Sequence, residues 1–106
     1  MNAARFDPDA QAEFLSAVMY YEECQESLGR RFRLLVESAV QKIVESPFMY
    51  RTLKAPFRRY LLPKFPYSII YTIEPDHIRI IAVAHNRRKP SYWSNRTQNP
   101  DKSSKK

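Results

Sequence analysis

Glycine and cysteine are almost absent from this chain: Gly29 and Cys24 stand alone among 106 residues. With so little glycine, its turns must be built from residues such as proline and aspartate. The lone cysteine excludes an internal disulfide framework and, among helix-forming neighbours, reads as a small apolar side chain in a reducing compartment. No apolar run reaches the length of a membrane span, and the opening Met-Asn-Ala-Ala-Arg leads into a helix signal rather than an apolar leader core. A soluble, cytoplasmic protein with no membrane role is therefore expected. Two histidines without clustered carboxylates give no reason to expect a metal or a cofactor. Acidic residues are also scarce beyond residue 50, where only Glu74, Asp76 and Asp101 occur. The net charge of +7 is thus concentrated in the second half, which favours encounter with nucleic acid or an acidic protein.

What is present fits one small domain. Residues 1–94 are expected to fold together and 95–106 to form a flexible basic tail. Asp7-Pro8 is a helix start, with an Asx residue placed to cap, proline at the first helical position and Asp9 in the first turn. Ala10, Phe14, Ala17, Val18, Tyr21 and Leu28 then recur at helical spacing and predict a first helix over about 8–27, after which Gly29 lets the chain turn. Phe32, Leu35, Val36, Ala39, Val40, Ile43 and Val44 form a second stripe, ended by Pro47. So short a link predicts an antiparallel αα-hairpin.

Beyond Pro47 the period changes from helical to alternating. Strands are predicted at 59–62, 67–73 and 77–85, with Glu74-Pro75-Asp76 as a hairpin turn and a short edge strand at 2–6. The fold class is α+β, an αα-hairpin packed on a three- to four-stranded antiparallel sheet. Strict alternation in the last strand puts Ile78, Ile80, Ala82 and Ala84 on one side and Arg79, Ile81, Val83 and His85 on the other. If the helices cover the Ile80 and Ala82 side, His85 faces the open side; otherwise it lies at the core margin.

The last strand feeds into His85-Asn86-Arg87-Arg88-Lys89-Pro90-Ser91-Tyr92-Trp93, a way of holding cations rigidly at a surface. Together with Phe6-Asp7-Pro8-Asp9-Ala10, Tyr20-Tyr21, Leu28-Gly29-Arg30-Arg31-Phe32, Pro47, Arg59 and Phe65-Pro66-Tyr67-Ser68-Ile69-Ile70-Tyr71, this segment resembles the RelE/ParE superfamily of bacterial toxins over residues 3–96. The resemblance implies the toxin of a type II toxin–antitoxin pair, often associated with plasmid stabilisation and neutralised by a cognate antitoxin in a hetero-oligomer. It also implies one of two targets: mRNA, cleaved on the ribosome by RelE-like mRNA interferases, or DNA gyrase, poisoned by ParE-like members.

RNA cleavage requires proton transfer and neutralisation of phosphate charge, for which His and Arg are suited. The candidate catalytic set is His85, Arg59, Arg87 and Tyr92, with Tyr92 placed to stack on a base. Arg58, Lys64, Arg88 and Lys89 are the candidate nucleic-acid or target-binding residues, and Trp93 is expected to be a packing anchor. Against the RelE type, Asn86 falls at or beside the place of an arginine, and the long hairpin is more ParE-like. A non-enzymatic nucleic-acid-binding domain of the same topology is the alternative.

Overall fold

A computed structural model describes residues 3–89 and 91–97. After a three-residue strand, β1 (Ala4–Phe6), the first helix α1 (Pro8–Cys24) begins at the proline and the second, α2, spans Leu28–Glu45. Asp7 occupies the N-cap position, but its side chain does not cap: both carboxylate oxygens accept from Arg79 Nε, at 2.9 and 3.1 Å. The first helix stops at Cys24, which stands exposed, and the turn falls on Ser27, whose φ of 74° is left-handed. Gly29 is not the turn residue. It lies buried in the first turn of α2, where an added Cβ would sit 2.4 Å from the backbone oxygen of Val18 and 2.9 Å from Glu22 Cβ. Its role is close helix–helix approach. Glu22 also caps α2 from α1, its two oxygens accepting from the backbone N–H groups of Ser27 (2.9 Å) and Gly29 (3.0 Å).

Four further strands follow: β2 (Arg51–Thr52), β3 (Arg58–Leu61), β4 (Tyr67–Ile73) and β5 (Ile78–His85). Among the described residues the sheet has five strands in the order β1-β5-β4-β3-β2, and β1 runs parallel to β5 while the other pairs are antiparallel. The expected three- to four-stranded antiparallel sheet is thus a mixed, larger one. The connection from β1 to its parallel neighbour β5 runs through the helical hairpin and β2–β4, ample for the crossover that a parallel pair requires, and β2 adds an edge too short to show a periodicity. Phe14, Phe32, Val36 and Ile43 of the helices bury against Ile69, Tyr71, Ile78, Ile80 and Val83.

The alternation of β5 is broken. Ile70 pairs with Ala82 and Tyr71 with Ile80, so Ile81 is an extra residue in a β-bulge. Ile78 and Ile80 face the helices, Ile81, Ala82 and Ala84 join a second cluster on the opposite face, and Val83 returns to the helix side. His85 follows Val83 to the margin of the helix-covered face, where its ring lies 5.0 Å from that of Tyr67. Strict alternation had put His85 opposite Ile80, and the bulge reverses that. On the helix-free face Phe57, Ile70, Ile81 and Trp93 form a small core, with Trp93 buried as expected and its ring 4.7 Å from Phe57.

Candidate target-binding cleft

The short length of β1 shapes the site. Pairing with β5 ends at Phe6 opposite Ile80, which among the described residues leaves the edge of β5 without a strand partner from Ile81 onward. An open edge carries unpaired backbone groups that must be satisfied or covered. Here two side chains do it: Val83 N–H donates to Glu13 Oε1 (3.0 Å), and Arg96 Nη1 donates to the Ile81 carbonyl (3.1 Å). Arg96 Nη2 and the Tyr92 hydroxyl both donate to Glu13 Oε2, at 2.9 and 2.8 Å, and Arg79 Nη2 donates to the Arg96 carbonyl at 2.8 Å. Arg96 belongs to a 3-10 turn, Ser94–Thr97, so the folded part runs past residue 94 and the boundary drawn from the sequence moves outward. The rest of the expected tail, 98–106, lies outside the described residues.

This network fixes Tyr92 rather than freeing it for a substrate. Burial first, and then the hydrogen bond to the Glu13 carboxylate, push its phenol far above the usual tyrosine range. The ring is flanked by two guanidinium groups, with Arg88 Cζ 3.8 Å and Arg96 Cζ 5.0 Å from its centroid. Arg88 is exposed, and stacking on Tyr92 orients it.

Beside this stack, on the helix-free face, opens a cleft of about 290 Å³. Its walls include Lys54, Arg59, His85, Asn86, Arg88 and Lys89, its apolar floor includes Ile70, Ala84 and Trp93, and among the described residues no carboxylate lines it. Of the expected residues, Arg59, His85, Arg88, Lys89 and Tyr92 come together here. Across the β2–β3 ladder Arg59 pairs directly with Arg51, a like-charge pairing that costs the sheet a few tenths of a kcal/mol or more unless an anion lies between. The cleft is therefore suited to an anionic partner.

His85 sits where β5 ends, bordering this cleft and a hollow formed with Ala12, Glu13 and Ser16 of α1. Its Nδ1 accepts the backbone N–H of Arg87 (3.0 Å), an arrangement that places the imidazole proton on Nε2. Asn86 serves the scaffold, its side-chain oxygen accepting from the Ser68 hydroxyl at 2.6 Å and its N–H donating to the Pro66 carbonyl at 2.8 Å.

Three other expected residues lie elsewhere. Arg87 is exposed and borders neither hollow. Arg58 points to the helix-side face and spends Nη1 on the carbonyls of Phe48 (3.2 Å) and Tyr50 (2.7 Å). Lys64 lines a separate hollow of about 500 Å³ with Tyr21, Leu28, Arg31, Leu35 and Phe65. Sequence reasoning missed Glu13, Arg96, Arg51 and Lys54. Glu13 carried a signal, since it falls between Ala10 and Ala17 on the inward stripe of α1, where a carboxylate needs partners.

A family model described as the ParE toxin of the type II toxin-antitoxin system, parDE, matches residues 4–90. A solved structure described as the chromosomal ParDE TA system from P. aeruginosa superposes with a TM-score of 0.71 at 12% identity, covering 80% of this chain and 96% of that one. At that identity the likeness is one of fold. No curated protein sequence matches.

Proposed function

The chain belongs to the ParE toxin family of type II toxin–antitoxin systems, and on that premise we propose that it arrests growth by binding DNA gyrase in the bacterial cytoplasm, until a cognate antitoxin covers it. The observation that carries this reading is the chemical character of the cleft: Lys54, Arg59, Arg88 and Lys89 supply its cations, and among the described residues no carboxylate lines it. Of its candidate proton-transfer groups, Tyr92 is spent on Glu13, and His85 Nδ1 accepts from Arg87, which leaves a single imidazole nitrogen, Nε2, for proton transfer. Such a surface favours holding a partner over performing general acid–base chemistry. Among the described residues no helix is long and apolar enough to cross a membrane.

The antitoxin is assigned to the hollow between the helical hairpin and the β3–β4 connection. Tyr21, Leu28, Leu35 and Phe65 give it apolar walls, and the exposed Arg31 and Lys64 suit an amphipathic segment bearing acidic residues. One observation favours the second reading, ribosome-dependent mRNA cleavage: Arg59 and His85 border the same cleft. Inducing the gene in a bacterial host, with RNA ends and gyrase-linked DNA breaks mapped in parallel, separates the two. Gyrase-linked breaks with intact mRNA are expected, and growth is expected to recover when the antitoxin is co-expressed. Cut mRNA with undamaged DNA would establish the other reading.

A further inference from the structure

The loop after α2 combines two properties that rarely coincide. Phe48 and Met49 are 71% and 70% exposed, the most exposed large apolar residues among those described. Yet the backbone that carries them is pinned on both sides. Tyr71, itself fully buried, donates its hydroxyl to the Pro47 carbonyl at 2.7 Å, and Arg58 Nη1 donates to the carbonyls of Phe48 and Tyr50. Met49 N–H closes a turn onto the Ser46 carbonyl at 3.0 Å, and the Tyr50 ring packs edge-on against Tyr60 at 4.8 Å. Arg58 Cζ lies 5.4 Å from the Phe48 ring centroid. Arg58 and Tyr71 are direct cross-strand partners, so one rung of the sheet holds the whole loop.

Exposing two large apolar side chains brings no gain to the isolated fold, and fixing their backbone in advance lowers the entropic cost of burying them against something else. Aromatic residues and methionine are enriched where proteins grip proteins. The flanking charge indicates what kind of surface this is. From Ser46 to Ile73 the chain has no Asp or Glu, whereas Arg51, Lys54, Arg58 and Arg59 follow the tip. A partner that accepts the tip into an apolar pocket therefore gains most if carboxylates rim that pocket.

We propose that the Phe48–Met49 tip is a protein-docking anchor that inserts into an apolar, acid-rimmed pocket of the toxin's target. The proposal rests on the reading of this chain as a gyrase-binding toxin, and it deepens that reading with a second contact on the β2 edge of the molecule. Arg58 acts here as a positioning residue, through the loop it holds.

The test uses the purified full chain, purified DNA gyrase and supercoiling of relaxed plasmid, with the double variants Phe48→Ala/Met49→Ala and Phe48→Leu/Met49→Leu. The alanine variant is expected to need at least about tenfold more toxin for half-inhibition, with unchanged thermal melting and unchanged rescue by antitoxin in co-expression. The leucine variant, which keeps the apolar volume, is expected to recover to within about threefold of the parent. Inhibition by the alanine variant at the parent's dose would overturn the anchor. So would selective loss of antitoxin rescue, which would give the tip to the antitoxin. If the leucine variant is as weak as the alanine one while Phe48→Trp retains activity, the ring stacks on a nucleic-acid base and the pocket is overturned. If the parent chain itself leaves gyrase untouched, the gyrase reading fails and growth arrest decides the anchor. Arrest weakened by the alanine variant keeps it for another protein target, and arrest unchanged, or absent in the parent, overturns it.

Discussion

Arg96 reaches back across the chain to Glu13, Nη2 to Oε2 at 2.9 Å, and the two together close the strand edge that β1 is too short to cover. Each also bonds the backbone of β5, so neither can be removed without orphaning a partly buried polar group. Glu13→Ala and Arg96→Ala are each expected to destabilise by about 2–3 kcal/mol, a fall in Tm of roughly 10 °C or more. Because they share one network, the double variant should cost less than the sum of the two, which a double-mutant cycle by urea unfolding measures.

Gly29→Ala sets two effects against each other. Alanine in a helix gains at most about 1 kcal/mol over glycine. The new Cβ would meet a backbone oxygen, Val18 O, at 2.4 Å, an atom that moves only if α1 moves with it. The clash is expected to win, with a net loss of about 2–3 kcal/mol in denaturant unfolding.

Alkaline pH should unfold the protein from a known direction. Burial raises the Tyr71 phenol from 10.0 to about 12, and burial together with Glu13 raises that of Tyr92. In the unfolded chain both ionise near 10, so above that pH the folded state binds more protons than the unfolded one. Stability is therefore fully present below about pH 10 and is lost as pH rises toward 12, on the order of 2 kcal/mol for Tyr71 alone. Tyr71→Phe should flatten this decline while losing the bond to Pro47. Melting between pH 9 and 12 reads both.

Arg59 and Arg51 face each other on the open side of the sheet. Arg59→Gln is expected to leave the fold intact, or to stabilise it by a few tenths of a kcal/mol through relief of the like-charge pair, while weakening toxicity about tenfold or more. Titrated induction in culture, beside a melting curve of the purified variant, would show whether the two effects separate.

Much of the fold could be read from residue spacing. Asp7-Pro8 marked the start of α1, the Phe32 to Val44 stripe marked α2, and the alternation from Tyr67 to Ile73 assigned the faces of β4. The last strand resisted because Ile80-Ile81-Ala82-Val83 is apolar throughout, so a bulge that shifts the frame by one residue leaves no mark in the pattern. That hidden residue decided where His85 lies. Arg58 and Arg59 are adjacent and chemically identical, and only the sheet shows that one holds a loop while the other faces the cleft. Glu13 and Arg96 are too far apart in sequence for any local pattern to pair them. The parallel entry of β1 was equally hidden, since three residues carry no sign of direction.

Whether this toxin acts by binding gyrase is read most directly by adding the purified chain to gyrase in one reaction and to translating ribosomes in another. Gyrase binding predicts blocked supercoiling in the first, lost with Arg59→Gln, and intact mRNA in the second. Site-specific mRNA cuts that vanish with His85→Ala, beside uninhibited gyrase, would contradict it.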